Sequence, residues 1–159
     1  MALAFDRRRI GLVVTGGVVA GLLDITYACA YWAIKAGTPP TRIFQSVATG
    51  VLGKDAFGGG MASAALGLTL HMLIAMAMAF AYFAAARRLP LLWQRPVLMG
   101  AAYGLFLYLF MRFVVVPLSA AGGGGGGGGD LLWLGLSVAV HMFLVGVPIA
   151  LFASRAVVK

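Results

Sequence analysis

The chain has few charged residues and very few acids. Charged residues make up 10% of its 159 residues, whereas an average soluble domain has about 25%. Twelve Lys and Arg stand against only four Asp and Glu. The hydrophobic share of 62% and the mean hydropathy of +1.01 exclude an ordinary soluble domain. Because the basic residues flank apolar runs, we interpret them as determinants of membrane topology and exclude nucleic-acid binding.

Cysteine and catalytic motifs are equally scarce. Cys29 is the single cysteine, which excludes a disulfide framework, a CxxC redox pair, a cysteine zinc site and the CxxCH attachment of a c-type haem. The sequence contains no nucleophile with a base, no carboxylate pair and no cofactor fingerprint, and its loops are too short for a separate site. We therefore predict a protein without enzymatic activity and without a cofactor.

Four apolar segments have the roughly 20 residues that a membrane span needs. They cover about 10–34, 61–86, 97–116 and 131–153. Eight basic residues lie on the side of the two termini and of the loop at 87–95, and three lie on the other side. The positive-inside rule then predicts a bacterial inner-membrane protein with both termini in the cytoplasm. The expected fold is all-α, with residues 1–159 forming one four-helix transmembrane domain.

Several residues mark the ends of these spans. Pro96 suits a first helical turn, Pro117 ends the third span, and Asp130 is placed to cap the fourth. Pro148 should kink the last helix, because proline removes one backbone donor.

A shorter amphipathic helix is predicted at about 39–53, between the first and second spans. Its polar positions are Arg42, Gln45, Ser46 and Thr49, and its apolar positions include Ile43, Phe44, Val47 and Val51. We expect the polar face to meet water or a partner and the apolar face to meet an apolar surface. The helix lies either flat on the periplasmic surface or over the mouth of the bundle, and a simple anchor is favoured over a functional lid.

The two halves of the chain share two motifs. GxxxG pairs occur at Gly17 and Gly21 in the first span and at Gly100 and Gly104 in the third, and LeuHisMet at 70–72 aligns with ValHisMet at 140–142. The pattern predicts a duplicated helical hairpin, with the amphipathic helix added to the first copy. Because small residues let helices approach closely in lipid, we expect the first and third spans to meet at these glycines.

Four ionisable residues lie inside the predicted spans: Asp24, His71, Arg112 and His141. A charge at the bilayer centre costs about 2.5–3.5 kcal/mol on insertion scales, so each needs a partner or a function. At a rise of about 1.5 Å per residue, Asp24 and both histidines share a plane near the midline. We expect Asp24 to point into the bundle and to hydrogen-bond at least one neighbour. The candidate neighbours are Arg112, His71, His141 and Tyr27. Arg112 competes for this pairing with the outer headgroups, which its long side chain can reach.

Asp24 also begins a polar stripe along one face of the first span. The stripe continues through Tyr27, Tyr31 and Lys35, a spacing that keeps these side chains on one side of a helix. We expect it to line a polar cleft under the amphipathic helix.

The two histidines allow three interpretations. His71 and His141 at equal depth are what a bis-His b-type haem requires, and with Asp24 they offer a path for protons or small ions. Interhelical hydrogen bonding is the third interpretation, and we favour it because neither helix supplies other metal ligands.

The chain resembles a group of uncharacterised bacterial inner-membrane proteins with four spans. The resemblance is carried by the run from Arg42 to Gly60, by LeuHisMetLeuIleAla at 70–75 and by the run from Tyr103 to Ala120. It implies a bacterial inner membrane and supplies no substrate. The eight glycines at 122–129 predict a flexible loop or stand in for unidentified residues.

From these features we expect an accessory subunit or binding module of a membrane complex, surrounded by lipid and joined to a partner subunit or to further copies of itself. A small transporter or channel that uses the Asp/His cluster is the first alternative, and a bis-His haem protein is the second.

Overall fold

The computed structural model describes residues 6–122 and 130–158, and these residues form helices and turns without any strand. Four helices are long and apolar enough to cross a membrane: α1 (Arg7–Ala36), α3 (Gly60–Ala86), α5 (Pro96–Leu118) and α6 (Leu131–Val158). Two shorter helices are α2 (Pro40–Leu52) and α4 (Pro90–Gln94), and a 3₁₀ segment spans Gly53–Gly58. The prediction of an all-α chain with four long apolar helices is confirmed. The glycines at 123–129 lie outside the described residues.

Local chemistry explains where the long helices begin and end. The Asp6 carboxylate accepts a hydrogen bond from the Arg8 N–H at the start of α1, and Gly37 ends that helix in the left-handed conformation with φ +62°. Asp130 caps α6 by accepting from the N–H groups of Leu132 and Trp133, as the sequence predicts. Pro96 occupies the first turn of α5, where its missing N–H costs nothing.

The core lies at the end of the bundle that holds Arg7 and Val158, here called the terminal end. Helix α1 packs against α3 and α6, α3 also packs against α6, and α5 packs against α6. The buried core cluster is rich in small side chains, among them Ala20, Ala79, Ala150 and Ala153 around Tyr82. Small side chains bring the helix axes close together. Such close packing stabilises contacts between helices where no hydrophobic effect drives their association, as in lipid.

The two GxxxG motifs lie inside the hairpins rather than between them. Gly17 and Gly21 face Met76 and Met72 of α3, whereas Gly100 and Gly104 face α6. The expectation that the first and third spans meet at these glycines was therefore wrong. Consecutive spans are usually adjacent in space, and each GxxxG motif packs against the following span.

Helix α2 packs on the first half of α3 through Phe44, which was predicted on the apolar face, and also through Gln45, which was predicted on the polar face. The small residues Ala48 and Gly67 allow the two backbones to touch. On this side Gln45 is buried, and its amide donates to the Gly60 carbonyl oxygen at 3.0 Å. The prediction that Gln45 faces water or a partner was wrong, and Val51 of the predicted apolar face is 61% exposed. Arg42 and Ser46 are exposed, as expected.

Two π-helical turns interrupt the last two long helices. They span Met111–Val115 in α5 and His141–Gly146 in α6, and each precedes a proline, Pro117 or Pro148. Proline has no N–H and its ring clashes with the carbonyl four residues earlier, and a widened turn accommodates both effects. At Pro148, where the sequence predicts a kink, the structure has this turn.

Candidate functional site: a cavity within the helix bundle

A cavity of about 280 Å³ lies among the four long helices, next to α2. All four long helices and α2 contribute to its lining, which is mainly apolar. Helices α3 and α5 make few contacts with each other, so the bundle is loosely packed between them. The cavity is therefore a consequence of uneven packing around the bundle.

Asp24, His71 and His141 all line this cavity. The His71 Nε2 atom lies 3.9 Å from one carboxylate oxygen of Asp24, and the His141 Nδ1 atom lies 3.8 Å from the other. The carboxylate thus stands between two imidazoles from different helices. Asp24 points into the bundle as predicted, but neither distance is that of a hydrogen bond, so that part of the prediction was wrong. Both ring nitrogens have closer acceptors.

These closer acceptors are backbone carbonyls, and they orient the two rings differently. His71 Nε2 lies 2.9 Å from the carbonyl oxygen of Gly21 on α1, whereas His141 Nδ1 lies 2.9 Å from the carbonyl oxygen of Ser137 on its own helix. A nitrogen facing a carbonyl must carry the proton, which fixes the tautomer of each neutral ring. The opposite nitrogen of each ring is then free to take up a second proton. A protonated ring would form an ion pair with Asp24.

Haem ligation does not suit this arrangement. His71 would have to give up its hydrogen bond to Gly21 for its Nε2 atom to bind iron. Apart from haem, no three His, Cys, Asp or Glu side chains in residues 6–122 and 130–158 are grouped to hold a metal ion.

Arg112 and Tyr27, which the sequence placed with Asp24, lie outside the cavity lining. The Arg112 guanidinium lies 5.9 Å from the ring of Phe113 and forms no ion pair with Asp24. Arg112 belongs to the π-helical turn of α5, whose wider geometry the regular helix assumed from sequence does not describe. The Tyr27 hydroxyl is 3.3 Å from the hydroxyl oxygen of Ser137.

The remainder of the predicted polar stripe joins α1 to α6. Tyr31 donates a hydrogen bond to Asp130 at 2.6 Å, and Lys35 forms a salt bridge with the same carboxylate. These two partners hold the pKa of Asp130 well below its usual range. Tyr27 also stacks on Trp133, with ring centroids 5.2 Å apart. The expectation that the whole stripe lines a cleft was wrong, because only Asp24 does so.

Different elements lie at the two ends of the cavity. Ser46, Thr49 and Gly50 of α2 line one end, and the Ala120 N–H donates to the Gly50 carbonyl oxygen at 3.0 Å. Toward the terminal end, the Tyr103 hydroxyl donates to the carbonyl oxygen of Met78 at 2.9 Å, linking α5 to α3.

Sequence reasoning missed the lining residues in the two π-helical turns, such as Met111 and Val145. The signal that could have found them was the pair of prolines, Pro117 and Pro148, that follow these turns. π-Helical turns often occur at functional sites because they redirect side chains.

No protein-family model, curated protein or solved structure is significantly similar to this chain. The resemblance to four-span inner-membrane proteins therefore stays a prediction.

Proposed function

We propose that this chain is a non-enzymatic protein of the bacterial inner membrane that binds a small ligand inside its helix bundle. The observation that carries the proposal is the cavity of about 280 Å³ that contains Asp24 between two histidines. Its volume is close to the lower limit of about 300 Å³ for ligand pockets, and its mainly apolar wall with a few convergent polar groups is typical of them. This cavity is the site that we propose for the binding module expected from the sequence.

The proposed orientation places α2 in the periplasm and the terminal end in the cytoplasm. It is supported by the basic residues that cluster at the terminal end, including Arg7, Arg8, Arg88 and Arg155. In this orientation the cavity faces the periplasmic half of the membrane.

A matched pair of glycine substitutions tests ligand binding. Gly50 lines the cavity, and a Cβ atom there meets only Ser119 at 3.9 Å; Gly135 is an exposed helical glycine of α6 with open space around it. Gly50→Leu should fill the mouth of the cavity, whereas Gly135→Leu makes the same change on the outer surface. Native mass spectrometry of protein from membranes should show adducts with the wild type and Gly135→Leu that Gly50→Leu lacks. Identical spectra for all three proteins would contradict the proposal.

Transport is the second candidate function, favoured by the position of the cavity between α2 at one end and the hydrogen bond from Tyr103 to Met78 toward the other. Transport would require the contacts at the two ends to open in turn, so that the site is exposed to each side of the membrane. Proteoliposomes should then show a pH-dependent flux of protons or small ions, and Asp24→Asn should abolish it. A flux unchanged by Asp24→Asn would remove this candidate.

Two further proposals concern assembly and origin. The accessory-subunit role predicts a partner or further copies in mild detergent, and a strict monomer in sizing experiments would contradict it. The duplicated hairpin is supported by the corresponding positions of Gly21 with His71 and of Gly104 with His141, since in each hairpin the second glycine of the GxxxG motif contacts the residues around the histidine.

A further inference from the structure

We infer that the ligand of this cavity is a small organic cation, an amine with an apolar body, whose ammonium group takes the place of a proton beside Asp24. The inference deepens the proposed function and depends on it. It follows from three features of the cavity: the sign of its charge, the groups that face this charge, and the character of its wall.

The first feature is the kind of charged group in the lining. Among the lining residues that the structure describes, Asp24 is the only acidic one, and none is a lysine or arginine. The basic residues nearest in the chain are engaged elsewhere: Lys35 with Asp130, Arg42 over the ring of Phe57, and Arg112 beside Phe113. An anionic ligand would meet a carboxylate without any fixed cation to balance it. A cation is therefore the charge that the cavity favours.

The second feature is the set of groups that face Asp24. His71 approaches from α3 and His141 from α6, and the ring of Tyr108 on α5 lies edge-on to His141 at 5.3 Å. Tyr27 is the neighbouring titratable group on α1 itself, and α2 contributes only hydroxyls. A carboxylate in such a site needs a positive partner. A protonated imidazole supplies one and a bound ammonium supplies another, so proton and ligand compete.

The third feature is the wall of the cavity, which determines the shape and polarity of the ligand beyond its ammonium group. Ile74, Met78, Val115 and Val116 present apolar side chains from α3 and α5. Methionine adapts to ligands of irregular shape and makes favourable contacts with aromatic rings. The hydroxyls of Ser46 and Thr49 lie on the α2 side of the same cavity. A compact aromatic or branched alkyl amine fits this combination.

Three probes of similar size and different charge test the inference: phenethylamine, phenethyl alcohol and phenylacetate. Each is titrated into the full chain in lipid nanodiscs by equilibrium dialysis at about pH 8. Phenethylamine should bind saturably and roughly tenfold or more tighter than the alcohol, which corresponds to about 1.4 kcal/mol. Phenylacetate should bind weakest. Lowering the pH to about 5, across the range in which histidine ordinarily titrates, should weaken amine binding.

Variants assign this preference to Asp24. Asp24→Asn should abolish the preference for the amine, and Asp24→Glu should retain it. Asp130→Asn makes the same carboxylate-to-amide change outside the cavity lining and should bind like the wild type. Circular dichroism and sizing identify any variant that fails to fold, in which case the probe series on the wild type alone decides.

Two results would overturn the inference. One is equal binding of the amine and the alcohol, and the other is the absence of saturable amine binding to the wild type. Either would leave the proposed function standing if Gly50→Leu still removes the adducts that Gly135→Leu retains. The proposed function itself fails only when that pair shows no difference.

Discussion

The two helical hairpins carry the same motifs but use their histidines differently. In the first hairpin the His71 ring reaches across to the backbone of α1 at Gly21, and in the second the His141 ring bonds to Ser137 one turn back on its own helix. One histidine links two helices, and the other remains local. Equal positions in a repeated motif therefore do not imply equal roles.

The two contacts between the hairpins differ in extent. The α1–α6 contact is extensive and includes the Tyr31 and Lys35 bonds to Asp130 and the stack of Tyr27 on Trp133. The α3–α5 contact is sparse and includes the hydrogen bond from Tyr103 to Met78. In a symmetric bundle the α1–α6 and α3–α5 contacts would be equally extensive. The difference between them leaves the space in which Asp24 and the two histidines meet.

The largest expected effect distinguishes the glycine contacts of the two hairpins. At Gly104 an added Cβ would overlap the carbonyl oxygen of His141 and lie 2.6 Å from its carbonyl carbon, whereas at Gly21 the nearest atom is the Met72 sulfur at 3.0 Å. A backbone atom cannot move aside as a methionine side chain can. Gly104→Ala should cost about 2–3 kcal/mol through overpacking and Gly21→Ala less than about 1 kcal/mol. Thermal unfolding in one detergent measures both, and equal midpoints would contradict the difference.

A medium effect is expected when each histidine is replaced by phenylalanine. His71→Phe removes a bond between two helices, which contributes about 0.6 kcal/mol on average in membrane proteins. His141→Phe removes a bond within one helix, which persists when the helices separate and so adds little to tertiary stability. His71→Phe should therefore lower the unfolding midpoint more than His141→Phe. The opposite order would contradict the assignment of the bond between helices to His71 and of the bond within one helix to His141.

The smallest effect concerns the extensive contact between α1 and α6. The folded state lowers the pKa of Asp130 below its ordinary value of 3.8, so the ionised carboxylate favours folding. This stabilisation is complete above about pH 4 and is lost as the pH falls through the lower, folded pKa. Asp130→Asn keeps the helix cap but loses the charge. The wild type should be slightly more stable than the variant near neutral pH.

Acid and salt provide the control for the Asp130 comparison. The difference between the wild type and Asp130→Asn should shrink in strong acid, where the carboxylate is protonated. High salt should reduce it as well, because the pair with Lys35 is partly exposed and is screened. A difference that grows in acid would contradict the direction of the pKa shift.

Apolar length and local capping were sufficient for the predicted helices. The span predicted at 61–86 is Gly60–Ala86, and the helix predicted at about 39–53 is Pro40–Leu52. Asp130 caps its helix because a cap depends only on residues two or three positions away. That Asp24 and the two histidines meet at one level of the bundle also followed from the sequence, because each lies a known number of residues from the end of its helix.

Which face each helix turns toward its neighbours was decided by the tertiary structure. Gln45 is buried because Ala48 and Gly67 let α2 approach α3 on that side, and α2 alone contains no information about this distant glycine. Arg112 lies away from Asp24 in a widened turn before Pro117. The sequence by itself thus determined the helices and their ends, because these depend on neighbours along the chain. The cavity depends on unequal packing between distant helices, and only the tertiary structure decides that packing.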